Sequence, residues 1–458
     1  MAGFSQGGGV GLSLAQWMVE GEPEADVFGM DIARYGDFAS EPGYLEDTAR
    51  QFYARRFVLT YPNEELPAGR PLDKSPVYDD LEREGAQFGC LWGLEVPLFF
   101  APKQPDFQET PTLKRSNAFN LIDQEVTAVR STVGIVDITG FSRYEVIGAG
   151  SEKWLNNLLA CRLPSVGRMR LAPMLAPSGR LMGDLTVMRL GADRFWLMGS
   201  YYLQSWHMRW FQDHLPKFGV KVRNLCYEMS GVSIAGPNSR NLLEQLLQTK
   251  VSNSDFPFLR CGEFDLDEVK AVIGRVSVTG ELGYEINVPV EFQRPLYLRL
   301  AELGADHDLK PFGFRAMTSL RFEKGYGAWS REFTCAYTPD MAGLDRFVDL
   351  RKSAFIGRDA VLNQRESGPT QRLVLLEIDS IEADVTQFEP VWKDGRRVGF
   401  ITSGSYGHWV NKSLGMAYID CAIPNQANEC SVDVVGKRVA ARVLQLSLIH
   451  ISEPTRPY

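Results

Sequence analysis

The stretch Met174–Ser200, MLAPSGRLMGDLTVMRLGADRFWLMGS, decides the class of fold. Two apolar runs, Leu185–Leu190 and Phe195–Gly199, flank the turn residues Gly191-Ala192-Asp193, which is the pattern of a β-hairpin. An earlier turn, Pro177-Ser178-Gly179, leaves Gly183-Asp184 at the head of the first strand. A carboxylate at a strand end beside glycine can be presented to a ligand with little steric cover. A solvated turn aspartate has the same pattern, so two readings of Asp184 stay open.

Outward from the hairpin, helical and strand spacings alternate. Asn117–Val133 predicts a helix, and Ile135–Ile138 and Tyr144–Ile147 predict strands. Ser151–Cys161 is amphipathic through Trp154, Leu155, Leu158 and Leu159. Tyr202–Leu215 predicts a helix, Val232–Ala235 a strand, and Pro237 opens a helix carrying Leu242, Leu243, Leu246 and Leu247. Val272–Val278 and Tyr284–Val288 predict strands; Gln293–Gly304 and Phe314–Glu323 predict helices. Beyond Glu366–Thr370, short strands dominate: Leu373–Ile378, Pro390–Trp392, Val398–Thr402, Gly415–Tyr418, Cys430–Val435 and Arg438–Leu444. That spacing predicts a small β-barrel or sandwich. The fold class is α+β with an all-β end.

Toward the front, Arg50–Phe57 and Tyr78–Gly85 predict short helices. Asn63–Arg70 predicts a loop, and proline-bearing Ala101–Thr112 a linker. Gly7-Gly8-Gly9 predicts a loop opening a helix through Leu12, Leu14, Ala15, Met18 and Val19, with Gly21 as its stop. Such a loop lets backbone N–H groups approach an anion; a plain turn is the alternative.

The 458 residues are 44% hydrophobic and 23% charged, with net charge −8. Wholesale disorder, collagen-like repeats and a disulfide-stapled miniprotein are excluded. The acidic balance argues against a broad nucleic-acid footprint. No apolar run approaches the length of a transmembrane helix; Cys90–Ala101 is broken by Glu95 and Pro97. Seven dispersed cysteines without a CxxC predict reduced thiols. No metal site is expected: His207 and His214 are not chelating neighbours, and no Cys/His cluster occurs. Neither GxSxG nor a GxGxxG opening a strand–helix unit is present.

What remains is carboxylates in glycine-bracketed loops. In Gly280-Glu281-Leu282-Gly283-Tyr284-Glu285 the glycines predict a tight turn, and Glu285 falls on the next strand, opposite Tyr284. A carboxylate there can grip two adjacent N–H donors, as an aminopyrimidine edge offers. A hairpin with solvent-facing glutamates is the alternative. Leu320–Gly327, LRFEKGYG, is a helix end with a glycine stop, and its bland reading is salt-bridged surface.

These segments carry a family resemblance. GIVDITGFSRYEV (Gly134–Val146), MLAPSGRLMGDLTV (Met174–Val187), GVSIAGPNSR (Gly231–Arg240), TGELGYE (Thr279–Glu285), SLRFEKGYGAW (Ser319–Trp329), FIGRDA (Phe355–Ala360) and TSGSYG (Thr402–Gly407) are similar, in order and spacing, to the glycine-cleavage T-protein fold at the C-terminal end of dimethylglycine and sarcosine dehydrogenases. The resemblance divides the chain. Residues 1–22 resemble the last loop and helix of a flavin domain, and 23–114 a central connecting domain. Residues 115–366 resemble a T-protein-like folate-binding domain, and 367–445 a small C-terminal β-barrel. Residues 446–458, LSLIHISEPTRPY, resemble a translated sequencing adapter and are expected to be an artefact.

The resemblance implies an FAD- and tetrahydrofolate-dependent demethylating dehydrogenase. It would act on small N-methyl amines such as dimethylglycine or sarcosine and give 5,10-methylenetetrahydrofolate. Asp184 is implied as catalytic and folate-contacting. Glu285, Glu281, Tyr284, Arg321 and Trp329 are implied as folate-binding, and Gly3, Gly7, Gly8 and Gly9 as the flavin-contacting remnant. Val278 and Met317 depart from the family pattern, where tyrosine and arginine are frequent. The family's N-terminal dinucleotide fingerprint is absent from the chain. Alternatives are a stand-alone folate-dependent aminomethyltransferase and a non-catalytic regulatory subunit of the same architecture. Neither nucleic acid nor membrane is an expected partner, and the electron acceptor is open. The expected setting is soluble, in a bacterial cytoplasm or a mitochondrial matrix.

Overall fold

Glycine runs weaken helices, yet the first element is one. In the computed structural model, which describes residues 3–104, 106–422 and 429–444, α1 (Gly3–Glu20) passes straight through Gly7-Gly8-Gly9. The expected loop is therefore not formed, and the expected adapter, Leu446–Tyr458, lies outside the described residues. Each helical glycine costs about 1 kcal/mol relative to alanine. Nothing lies within 4 Å of where a Cβ would stand on Gly7, Gly8 or Gly9.

Pro42 opens α2 (Pro42–Ala54), earlier than expected, because its fixed φ suits a first helical turn. After α3 (Tyr78–Arg83), β1 (Ala86–Leu91) and β2 (Leu94–Phe100) form an antiparallel hairpin. Sequence spacing did not predict it. Leu94, Glu95 and Val96 are all buried, so both faces of β2 are covered and period-two alternation is lost.

The next elements are α4 (Phe119–Ser131), β3 (Val133–Asp137), β4 (Phe141–Ile147), α5 (Ser151–Leu158), β5 (Arg168–Leu175), β6 (Leu181–Gly191), β7 (Arg194–Ser200), α6 (Gln204–Asp213), β8 (Lys221–Asn224) and β9 (Met229–Ala235). Then follow α7 (Ser239–Leu247), β10 (Cys261–Leu266), β11 (Val269–Gly274), β12 (Gly283–Pro289), α8 (Gln293–Gly304), β13 (Leu309–Pro311), α9 (Phe314–Glu323) and α10 (Arg358–Ser367). They build two sheets, ordered β5-β6-β7-β4-β8 and β10-β11-β12-β9-β3-β13.

Strand alternation assigns the faces. Leu185 and Val187 of β6 pack with Trp154, Leu155 and Phe211, so α5 and α6 cover one face of the first sheet. Tyr284, Ile286 and Val288 of β12 pack with Leu242, Leu296 and Leu300, so α7 and α8 cover one face of the second. The remaining faces meet: Met188, Trp196 and Met198 of the first sheet pack against Cys261 and Val272 of the second.

The last six strands close the barrel: β14 (Gln371–Ile378), β15 (Pro390–Lys393), β16 (Arg396–Gly407), β17 (Lys412–Asp420), β18 (Glu429–Val434) and β19 (Lys437–Leu444). The order is β14-β17-β16-β15-β18-β19. Val374, Leu376, Ile401, Ala417 and Val432 fill it. Closure leaves no sheet edge exposed.

Candidate functional site

Where the two sheets part, facing the barrel, a cavity of about 2770 Å³ opens. Asp184, Tyr202, Glu285, Arg321 and Trp329 all line it.

β6 begins at Leu181, so Asp184 lies inside the strand and not at its head. Its neighbours Leu185 and Val187 turn into the core, so Asp184 and Thr186 face the cavity. Gly183 allows a close approach behind it: a Cβ there would stand 3.0 Å from Nε2 of His207. His207 is fully buried, and its Nδ1 lies 3.1 Å from the Tyr144 hydroxyl. Burial pushes its pKa down to about 3, so it carries no charge near neutrality. Asp184 Oδ1 is buried without a hydrogen-bond partner among the described residues. Burial raises the Asp184 carboxyl to about 7.

Glu285 projects from β12, between Gly274 of β11 and Ser233 of β9. Burial raises its carboxyl to about 7, and the positive charge of Arg143 opposes the rise. Arg143 is wholly buried on β4. It donates through Nη2 to Ile138 O (2.8 Å), through Nη1 to Phe141 O (2.8 Å) and through Nε to Asn287 Oδ1 (2.7 Å). Three acceptors thus hold the guanidinium in the strand interior.

The structure does not bring Tyr284 into the site. It points opposite Glu285, has no exposed surface, and packs among Phe256 and the α7–α8 core. Glu281 lines the cavity, but its carboxylate is ion-paired to Arg130, with Lys324 Nζ at 3.6 Å. β11 ends at Gly274, so Glu281 belongs to an extended loop, not the expected tight turn.

Arg321 is not surface. Its side chain is 11% exposed, pairs with the buried Glu332 at 3.3 Å, and donates to Tyr326 O. Trp329 is 2% exposed, and its carbonyl accepts from the Tyr202 hydroxyl at 2.8 Å. Burial and the nearby Asp184 charge push the Tyr202 hydroxyl up to about 12. Gly7, Gly8 and Gly9 do not line this cavity; Gly3 is described only as the start of α1. Gly7, Gly8 and Gly9 sit inside α1 with open space where their Cβ atoms would stand.

Sequence reasoning missed Arg143, Tyr202 and Glu332 as site-builders. Arg143 had a usable signal: a lone cation between apolar strand positions in GFSRYEV. Glu332 had none, because its partners come from distant segments. Among the described residues no His/Cys/Asp/Glu group could hold a metal, and no helix is long and apolar enough to cross a membrane.

Two carboxyl groups poised near neutrality therefore face one cavity from two sheets. They can accept hydrogen bonds from a nitrogen-rich ligand or take up a proton from it.

Comparison with known proteins agrees with this architecture. Residues 77–352 match the GCVT N-terminal domain, 371–449 the glycine cleavage T-protein C-terminal barrel domain, and 20–75 the FAD dependent oxidoreductase central domain. The mitochondrial dimethylglycine dehydrogenase of Rattus norvegicus is 33% identical over 458 residues, covering 99% of this chain and 53% of that protein. The mitochondrial pyruvate dehydrogenase phosphatase regulatory subunit of Mus musculus is 28% identical, covering 91% and 50%. The chain thus spans about half the length of these relatives. The crystal structure of aminomethyltransferase T from Bartonella henselae superposes with a TM-score of 0.71 at 24% identity, covering 82% of this chain and 97% of that one. That likeness establishes the fold alone.

Proposed function

Because the chain belongs to the glycine cleavage T-protein family, we propose that its cavity binds tetrahydrofolate and serves the capture of a one-carbon unit released from an N-methyl amine such as dimethylglycine or sarcosine. The product is 5,10-methylenetetrahydrofolate. One observation carries the proposal: Asp184 Oδ1 is buried and unpartnered in the cavity that Glu285 enters from the facing sheet. A ligand nitrogen fits that oxygen, since buried polar atoms are rarely left unpaired.

Tetrahydrofolate supplies the nucleophilic nitrogens that take up the one-carbon unit. Glu285 grips two adjacent N–H donors of the aminopyrimidine edge, and Arg143 behind it favours the charged carboxylate that such a grip requires. Asp184 orients the reacting nitrogen and accepts the proton lost as the new carbon–nitrogen bond forms. A carboxyl near pKa 7 can do both at neutral pH. Arg321 and Trp329, held by Glu332 and Tyr202, shape the wall beside it.

Amine oxidation by FAD belongs to the longer relatives' arrangement, and no step of it is assigned to these residues. A bacterial cytoplasm or mitochondrial matrix suits this chemistry. Calorimetric titration of tetrahydrofolate into the chain tests the proposal. Saturable heat is expected. Its absence would overturn the proposal and favour a non-catalytic relative of the regulatory-subunit kind.

A further inference from the structure

Away from the cavity, on the α5 side of the first sheet, cations gather. Met169 turns into the core, so Arg168 and Arg170 share the outer face of β5. Register sets Arg168 opposite Arg189 of β6, and an isolated bridge sets it opposite Arg260. Like charges directly across strands are unfavourable, so this arrangement works against the fold's own stability. α5 adds Lys153, and the segment before β5 adds Arg162. Lys153, Arg162, Arg170 and Arg189 line a groove of about 830 Å³.

The neighbouring carboxylates are already engaged. Arg189 holds Glu152 through two bonds (3.0 and 2.7 Å), Arg351 holds Asp349 (2.8 Å) and Arg194 holds Glu263 (2.9 Å). Lys153, Arg162, Arg168, Arg170 and Arg260 make no side-chain hydrogen bond or ion pair with other described residues. This concentration of unpaired cations stands on a chain whose net charge is −8.

We propose that this face docks an acidic segment of a partner protein. The four cations that line the groove come from two strands, a helix and a loop, wider than one small anion touches. Their groove is concave, whereas a bilayer surface is planar and would meet only rim residues. Charge complementarity of this kind sets association rate and salt dependence.

The test uses a fluorescein-labelled peptide of about ten α-linked aspartates and glutamates, read by anisotropy between about 50 and 200 mM salt, where surface charges are progressively screened. The full chain should bind it and weaken with salt. The double variant Arg162→Glu/Arg170→Glu should lose at least ~10-fold in affinity, as steering by a removed patch predicts, while Lys270→Glu elsewhere should not. Both substituted arginines are exposed, and circular dichroism checks folding. Lys153→Glu serves if the double variant fails to fold. No binding, or binding unchanged in every groove variant, would overturn the proposal. So would tighter groove-dependent binding of tripolyphosphate or of vesicles containing about one-fifth phosphatidylserine. Tetrahydrofolate affinity should be unchanged in these variants, which keeps the two proposals separable.

Discussion

Glu332 is a buried carboxylate, and Asp184 and Glu285 are half-buried ones in the same wall-forming region, with different surroundings. Glu332 has no exposed surface and four donors: Arg321 Nη1 (3.3 Å), Ala328 N (2.9 Å), Thr402 Oγ1 (2.8 Å) and Ser403 Oγ. Two of these donors belong to β16, so the carboxylate bolts the barrel to the end of α9. Asp184 has an oxygen with no donor, and Glu285 has one offsetting cation behind it. Burial alone therefore does not mark a functional carboxylate. A saturated one holds architecture together, and an under-satisfied one facing a cavity awaits a ligand.

Variants can break or sharpen that contrast. The largest effect belongs to Glu332→Ala, which removes the carboxylate paired with Arg321 and the acceptor of the Ser403 hydroxyl, and leaves Thr402 only Met416 O. Unfolding by urea should show a loss of about 3–5 kcal/mol, the range for breaking a buried pair. A loss below ~1 kcal/mol would break the contrast at its architectural end. Asp184→Asn should slow one-carbon transfer by roughly 100-fold, as loss of a general base does, with tetrahydrofolate affinity nearly intact. Equal loss in rate and affinity would remove its proton-transfer role. Glu285→Ala should weaken tetrahydrofolate binding by about 1.5–3 kcal/mol, the value of a charged hydrogen bond, without lowering stability at pH 8.

The pH dependence of stability distinguishes the two regions again. Asp184 rises from an ordinary value of 3.8, and Glu285 from 4.5, each to about 7. The folded chain thus binds more protons than the unfolded chain between those limits. The stabilisation from protonation is fully present below about pH 4 and is lost as pH rises through about 7. Asp184→Asn and Glu285→Gln should each flatten that decline by about 1–2 kcal/mol, a discounted share of the shift. Urea midpoints measured from pH 4 to 8 check the slope. A steeper decline in either variant would contradict the sign. Tyr284→Phe should do least: its hydroxyl meets Arg240 at 3.4 Å in the core, so folate affinity should stay within a factor of ~2.

Local spacing made much of this fold legible. α8 and α9 coincide with the predicted Gln293–Gly304 and Phe314–Glu323, because each buries one stripe. All six barrel strands were visible as short runs between turn residues, although barrel and sandwich were not separable without pairing. The failures have physical causes. β2 is covered on both sides, and its Pro97 breaks the pattern of a strand. Gly7–Gly9 read as a loop from local propensity alone, while the structure continues the helix through them. Tyr284 and Glu285 were correctly placed on opposite faces, but only the assembled sheets show which face is core. Arg321 read as surface because Glu332 and β16, which bury it, are remote in sequence.

A thermal-shift measurement tests the folate site most directly. Saturating tetrahydrofolate should raise the Tm of the unaltered chain, since a ligand that binds only the folded state stabilises it. The same addition should raise the Tm of Glu285→Ala by clearly less, because its affinity is lower. An equal rise in both proteins would contradict the claim that the under-satisfied carboxylates of the cavity form the folate site.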